Sequence, residues 1–218
     1  FGEPDFDMPE NVKQAAIKAI EDNASHYAHT SGEIGVREAV SAFLEKQYEV
    51  HYDPETEIVM TVGATEGLFA TAFGLLNPGD QVIIPSPYFP LYSTAVELNR
   101  GECILVDTSD TGFLMTPELL HKTMAENKNV KALFLNYPSN PTGATYTKAE
   151  LTALADAIKQ YDIFVLSDEI YSEITYGEKH TSIATLLRDR TILFQGASKA
   201  FAMTGWRIGY AVGPSVWL

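Results

Sequence analysis

The stretch TILFQGASKAFAMTGWRIGYAV, residues 191–212, joins two apolar, strand-like runs through a polar segment that carries Lys199 and Arg207. A lysine in such a segment is a candidate Schiff-base nucleophile, because partial burial or neighbouring cations lower the pKa of its amine. Arg207 keeps its charge, so it is suited to hold an anion such as a phosphate. A lysine that bonds an aldehyde and an arginine that holds a phosphate together suggest pyridoxal phosphate as the cofactor.

Five more apolar runs precede this stretch and predict the rest of a sheet. They are EIVMTV (57–62), QVII (81–84), ECILV (102–106), KALFLN (131–136) and IFVLSD (163–168). Most of them are continuous, which is typical of strands covered on both faces. Helical patterns lie between several runs, among them a capping box at 147–150 and a helix opened by Pro9. The alternation predicts an α/β fold, a three-layer sandwich around a mostly parallel sheet of about seven strands.

The composition excludes several classes of protein. The chain has 218 residues, of which 45% are hydrophobic, so it can bury a substantial core as one domain. Its 15 lysines and arginines against 29 acidic residues give a net charge of −14, which opposes binding to nucleic acid or to an anionic membrane. No stretch approaches the ~20 apolar residues of a membrane span, and the first residues lack a signal-peptide pattern. Cys103 is the single cysteine, so we expect a buried strand thiol and a cytoplasmic protein.

Candidate anion-binding groups follow the first predicted strand. In such sheets ligands sit beyond the carboxyl ends of the strands. Gly63, Ala64 and Thr65 stand where the first strand turns into a helix, so their N–H groups can approach an anion. The alternative is a tight turn with a helix cap, since GATEG contains neither a P-loop lysine nor a GxGxxG pattern.

An aromatic segment, SPYFPLY (86–92), follows the second strand. Phe89 could stack on a flat heteroaromatic ring. The competing interpretation is that Tyr88, Phe89 and Tyr92 are packing residues of the next helix.

The loop NYPSNPTG (136–143) follows the fourth strand. Its two prolines and Gly143 force an irregular backbone from which Asn136 or Asn140 can present an amide to a ligand. A rigid turn without a ligand is the alternative. A cis bond at Asn140–Pro141 is compatible with this loop.

The segment SDEIYSEITY (167–176) places Asp168 at the end of the fifth strand, with Tyr171 three residues later. A carboxylate against a pyridine nitrogen keeps that nitrogen protonated, so the ring can accept electrons from a substrate carbanion. Tyr171 can donate to the phenolic oxygen of the ring. A strand-end aspartate is usually a helix cap and a lone tyrosine usually packs. The conjunction of all these groups in strand-end loops favours the cofactor site.

Five segments together resemble one known family. GEPDFD (2–7), GATEG (63–67), NYPSNPTG (136–143), SDEIY (167–171) and SKAFAMTGWRIGY (198–210) are similar, in the same order, to the class I and II aminotransferases of pyridoxal-phosphate fold type I. This resemblance implies the following roles: Lys199 forms the Schiff base, Asp168 pairs with the pyridine nitrogen, Tyr171 and Asn140 contact the phenolic oxygen, Phe89 stacks on the ring, and Ala64, Thr65 and Arg207 hold the phosphate.

The resemblance also implies contacts with substrate and with a second subunit. Gly2 matches a backbone contact to substrate, and Asn140 would touch the substrate carboxylate. Tyr27 matches a tyrosine that reaches the phosphate of the neighbouring subunit in a homodimer. Many relatives have a phosphate-binding serine where this chain has Gly196, so that contact is absent or supplied by Ser198.

We therefore expect residues 1–218 to be the large, cofactor-binding domain of a longer enzyme. Relatives continue into a small domain that carries the arginine for the substrate α-carboxylate, and this domain is absent from the chain. The expected reaction moves an amino group from an L-amino acid, aromatic or aspartate-like, to a 2-oxo acid such as 2-oxoglutarate.

Three alternatives stay open. A C–S β-lyase acting on cystathionine-type substrates uses a similar set of groups. The chain could instead bind the cofactor, or pack as a dimer, without turnover. It could also be an α/β protein without pyridoxal phosphate, which the combined motifs disfavour. His26 and His29 form no recognisable metal site, because no further ligands accompany them.

Overall fold

A single seven-stranded sheet organises the computed structural model, which describes residues 2–216. The strands are Ile58–Val62 (β1), Gln81–Ser86 (β2), Glu102–Asp107 (β3), Val130–Asn136 (β4), Phe164–Asp168 (β5), Thr191–Gly196 (β6) and Ile208–Val212 (β7). Their order across the sheet is β1-β7-β6-β5-β4-β2-β3. Strand β7 runs antiparallel to both β1 and β6, and the other neighbours pair in parallel. The predicted sheet of about seven mostly parallel strands is confirmed.

Helices cover both faces of this sheet. They are Glu10–Glu21 (α1), Ile34–Tyr48 (α2), Gly63–Leu75 (α3), Leu91–Leu98 (α4), Pro117–Glu126 (α5), Lys148–Ile158 (α6), Ala184–Leu187 (α7) and Ala197–Ala200 (α8). Side chains alternate between the faces of a strand. In β4, Ala132 and Phe134 pack with α3 and α4, whereas Leu133 and Leu135 pack with α5 and α6. The predicted three-layer sandwich is therefore confirmed.

The helix starts follow the local sequence signals. Thr147 caps α6 in the predicted capping box: its hydroxyl accepts from the Glu150 N–H at 3.3 Å, and the Glu150 carboxylate accepts from the Thr147 N–H at 2.8 Å. Helix α1 begins directly after Pro9, as predicted. None of its residues is buried, however, and Ile20 is 76% exposed.

Two local expectations differ from the structure. The predicted turn at residues 63–65 is the first turn of α3, because Gly63, with φ of 72°, reverses the chain directly out of β1. Lys199 lies in the one-turn helix α8 rather than on an irregular loop, and a 3₁₀ turn at Thr204–Trp206 follows it. A single helical turn is too short to leave a periodic signal in the sequence.

The expectation for Cys103 was partly wrong. The residue lies in β3, but it is half-buried rather than fully buried, because β3 is the edge strand of the sheet. Burial raises the pKa of its thiol to about 11, so the thiol is unreactive at neutral pH. Among residues 2–216, no helix combines the length and the apolar character needed to cross a bilayer.

Candidate active site

A cavity of about 260 Å³ opens beyond the carboxyl ends of the parallel strands. Ten of the residues predicted from the sequence line it: Gly2, Ala64, Thr65, Phe89, Asn140, Asp168, Tyr171, Ser198, Lys199 and Arg207. The fold thus brings together groups that lie up to about 200 positions apart in the chain. Their roles toward a cofactor remain predictions.

Asp168, the last residue of β5, presents a buried carboxylate to the cavity. The Tyr92 hydroxyl donates to its Oδ2 at 2.8 Å, and the Ile170 N–H donates to its Oδ1 at 3.2 Å. Burial raises the pKa of Asp168 to about 6, and these two hydrogen bonds partly offset the rise. Within residues 2–216 no cation forms an ion pair with this carboxylate. A cationic group in the cavity would therefore be stabilised beside it.

Lys199 points its amine into the same cavity from α8. Its Nζ donates to the carbonyl of Gly2 and lies 5.5 Å from the ring centroid of Tyr171. Partial burial lowers the pKa of Lys199. The Glu3 carboxylate opposes that effect, and the Arg207 charge adds to it. A lowered pKa increases the fraction of neutral, nucleophilic amine.

Arg207 forms the cationic end of the cavity. Its backbone is left-handed, with φ of 54°, and its Nη1 donates to the Thr204 carbonyl at 2.8 Å and lies 3.5 Å from the Ser198 hydroxyl. The first turn of α3, with Ala64 and Thr65, lines the cavity beside it. A guanidinium next to a helix N-terminus is a favourable environment for an anion.

Gly63 does not line this cavity and acts differently from the expected anion contact. Its N–H donates to the main-chain carbonyl of Arg207 at 2.7 Å. A Cβ atom at Gly63 would lie 2.8 Å from the Cζ of Arg207. The glycine therefore allows the guanidinium to pack against the first turn of α3.

Tyr171, Asn140 and Phe89 lie on the remaining walls. Burial raises the pKa of the Tyr171 hydroxyl, the Asp168 charge adds to the rise, and the Asn140 side chain opposes it. The Asn140 N–H donates to the Asn136 side chain at 2.7 Å, and the Asn140–Pro141 bond is cis. The hydroxyl of Tyr171 thus stays protonated and can donate a hydrogen bond.

Tyr92 is a site residue that the sequence reasoning assigned only to packing. It is 2% exposed, its ring stacks on Phe134 at 4.9 Å, and Phe89 meets it edge-on at 5.8 Å. Its bond to Asp168 joins residues 76 positions apart. No local signal marks this pairing, because it depends on the order of the strands.

Tyr27 lies outside the cavity, and its side chain is fully exposed. His26 and His29 are exposed as well, and the His29 ring accepts a hydrogen bond from the Ser31 N–H at 3.2 Å. In the described part of the chain, no group of three or more potential metal ligands comes together.

Comparisons with known proteins identify the family of the chain. The chain matches the family model for aminotransferase class I and II over residues 1–218. It is 44% identical over 214 residues to a probable N-acetyl-LL-diaminopimelate aminotransferase of Bacillus subtilis, covering 98% of this chain and 54% of that protein. It is 41% identical to the aspartate/prephenate aminotransferase of Thermus thermophilus, covering 98% of this chain and 55% of that protein.

A solved structure shows the same likeness in three dimensions. The aromatic aminotransferase from Pyrococcus horikoshii superimposes with a TM-score of 0.95 at 39% identity, covering 100% of this chain and 58% of that one. The chain spans about half the length of the curated relatives that it matches. On this combined similarity of sequence and fold, the chain belongs to the class I and II aminotransferase family.

Proposed function

We propose that this chain binds pyridoxal phosphate and carries the cofactor half of an aminotransferase site. The reaction would move an amino group from an L-amino acid to a 2-oxo acid such as 2-oxoglutarate. One observation carries the proposal: an amine with a lowered pKa, a buried carboxylate and a guanidinium share one cavity, in Lys199, Asp168 and Arg207. Membership of the family supports it.

The residues fit pyridoxal phosphate because each chemical feature of that molecule has a suited partner. Asp168 is buried and forms no ion pair with any residue from 2 to 216, so a protonated ring nitrogen would satisfy its charge. Arg207 and the first turn of α3 would hold the phosphate. Lys199 would bond the aldehyde, and Phe89 would offer its ring to a flat face.

When bound, pyridoxal phosphate supplies a ring that accepts electrons from the substrate α-carbon. Lys199, freed once the substrate amine takes its place at the aldehyde, would serve as the base that takes the Cα proton and returns it to the former aldehyde carbon, because its lowered pKa lets it release as well as hold a proton. Asp168 would keep the ring nitrogen protonated. Tyr171 would donate a hydrogen bond from its hydroxyl to the phenolic oxygen, since its raised pKa keeps it neutral.

Substrate contacts on this chain would come from Gly2 and Asn140. Both line the cavity, and the Gly2 carbonyl already accepts a hydrogen bond from Lys199. The names of the relatives include aspartate, prephenate, aromatic and N-acetyl-LL-diaminopimelate aminotransferases. We propose an aromatic or aspartate-like amino donor on this basis.

The test compares two reactions of the chain loaded with pyridoxal phosphate. An L-amino donor with 2-oxoglutarate should yield glutamate, and L-cystathionine should yield no pyruvate. Lys199→Ala should abolish glutamate formation, whereas Lys179→Ala, a change in an exposed loop, should not. Pyruvate without glutamate would identify a C–S β-lyase, and bound cofactor with neither product would identify a binding domain without turnover.

We also propose a homodimer in which Tyr27 of one copy reaches the phosphate end of the other. The tyrosine is fully exposed, so its hydroxyl is free to make such a contact. Tyr27→Phe should weaken binding of pyridoxal phosphate, while Tyr176→Phe, at another fully exposed tyrosine, should not. A chain that sediments as a monomer with cofactor bound would contradict this proposal.

A further inference from the structure

The buried carboxylate of Glu169 lies directly beside the site, on the side of the β5 backbone opposite to the Asp168 side chain. Glu169 follows Asp168, and its N–H donates to the Phe194 carbonyl at 3.0 Å, which extends the pairing of β5 with β6. Successive side chains on an extended strand point to opposite faces. Asp168 thus reaches the cavity while Glu169 is carried into the interior, where it is 0% exposed.

Several elements hold this carboxylate. Its Oε1 accepts from the hydroxyls of Ser167 at 2.9 Å, Tyr137 at 3.0 Å and Ser182 at 3.0 Å, and from the Ile183 N–H at 3.3 Å. A buried carboxylate is tolerated only when hydrogen bonds of this kind satisfy it. The network therefore ties the end of β5 to the end of β4 and to the segment 180–183.

His180 completes the network on the second oxygen. Its Nε2 lies 2.7 Å from the Oε2 of Glu169, and the imidazole is 2% exposed. The ring stacks on Tyr137 at 5.0 Å and meets Tyr48 edge-on at 5.7 Å. The carboxylate facing Nε2 requires a donor, so it favours the tautomer that carries its proton on Nε2, and within residues 2–216 Nδ1 has no hydrogen-bond partner.

Asp168 itself has fewer direct restraints than Glu169. Its carboxylate receives two donors, from Tyr92 and from Ile170, and its carbonyl accepts from the Asn136 side chain at 2.9 Å. The direction of a side chain at a strand end depends on its main chain, which at Asp168 is held by sheet pairing with Asn136 and Phe194 and is followed directly by the anchored side chain of Glu169. The negative charge of Glu169 adds to the effect of burial in raising the pKa of Asp168, so by charge alone Glu169 opposes ionisation of Asp168, and its support for that carboxylate is geometric.

We propose that Glu169, held by His180, is a positioning residue that fixes the Asp168 carboxylate against the ring nitrogen of the cofactor. This inference rests on the proposed function, because it requires pyridoxal phosphate in the cavity. Glu169 does not line the cavity. It acts through the backbone that it shares with Asp168.

The experiment uses the full chain and pyridoxal phosphate labelled with ¹⁵N in the ring. Two quantities are measured at one fixed pH: the dissociation constant of the cofactor and the ¹⁵N chemical shift, which reports protonation of the ring nitrogen. Glu169→Gln should weaken binding about tenfold, the order of loss seen when a partner that orients a contacting side chain is removed. It should also move the ¹⁵N signal toward the unprotonated position. Glu173→Gln, the same change at an exposed glutamate four residues later, should leave both at wild-type values.

A second pair of variants separates positioning from stability. His180→Leu removes the donor to Oε2 and should shift the ¹⁵N signal in the same direction as Glu169→Gln. His180→Gln restores an N–H donor and should move the signal back. Circular dichroism shows whether each variant folds. If Glu169→Gln does not fold, the two His180 variants provide the test, because they leave the Glu169 carboxylate and its other donors in place.

The outcomes separate the two proposals. Wild-type chain that binds no pyridoxal phosphate would overturn the proposed function and this inference with it. In the other case, the wild-type chain binds the cofactor with a protonated ring. If the folded variants then show the same ¹⁵N shift and affinity as wild type, the positioning role alone is overturned. Lower thermal stability with an unchanged ¹⁵N shift would also overturn the positioning role, because a merely structural role predicts that result.

Discussion

Asparagine at position 168 should stabilise the cofactor-free protein at neutral pH. Burial raises the pKa of Asp168 from 3.8 to about 6, so the folded state disfavours the ionised carboxylate. Below the pKa of 3.8 that the unfolded chain has, Asp168 is protonated in both states and does not destabilise the fold. As the pH rises through about 6 the folded protein must ionise this buried carboxyl, and its free energy of unfolding falls. The difference between the two pKa values corresponds to about 3 kcal/mol at neutral pH. Asp168→Asn removes the ionisation but keeps an acceptor for the Tyr92 hydroxyl.

Urea unfolding of the cofactor-free chain measures this effect. The stability of Asp168→Asn relative to wild type should rise by about 2–3 kcal/mol between about pH 4 and about pH 8. Asp162→Asn, at an exposed aspartate, should show no such rise. A relative stability of Asp168→Asn that is constant with pH, or that falls as pH rises, would refute the reasoning. The same substitution should weaken binding of pyridoxal phosphate, because an amide cannot neutralise a protonated ring.

Three further substitutions test separate parts of the structure. Tyr92→Phe removes the hydrogen bond that lowers the pKa of Asp168, so ¹³C NMR should place that pKa above about 6, whereas Tyr88→Phe should leave it unchanged. A Cβ at Gly209 would lie 2.8 Å from the Cα of Gly63 in the first turn of α3, so Gly209→Ala should lower the free energy of unfolding by about 1–3 kcal/mol in urea. Gly74→Ala, with open space around it, is the control. Thr147→Ala removes the cap of α6 and should cost about 1 kcal/mol by thermal unfolding, with the mid-helix change Thr152→Ala as its comparison.

Local sequence signals predicted the elements of the fold well. Each of the seven apolar runs became a strand, because continuous β-branched and apolar residues suit strands that helices cover on both faces. The capping box at Thr147 and Glu150 formed as expected, since it depends on residues three positions apart. Ten predicted site residues line one cavity, and nine of them lie next to strand ends that share an edge of the sheet, whereas Gly2 comes from the segment before α1.

Features that depend on long-range packing were not predictable in this way. The bond from Tyr92 to Asp168 requires α4 and β5 to lie together, which no local pattern states. The role of Gly63 depends on the return of β7 beside β1 at the far end of the chain. Glu169 and His180 form a buried pair that follows from the packing of the segment 180–183 against β5. Sequence spacing alone does not distinguish such a pair from two solvated side chains.

Borohydride reduction of the chain incubated with pyridoxal phosphate, followed by peptide mass mapping, tests the central assignment most directly. The reduction fixes the cofactor to the lysine that bonds its aldehyde. The lowered pKa of Lys199 and its place in the cavity predict a pyridoxyl adduct on the peptide that contains Lys199 and none on Lys199→Ala. A specific adduct on any other lysine, or on the Lys199→Ala variant, would contradict the account.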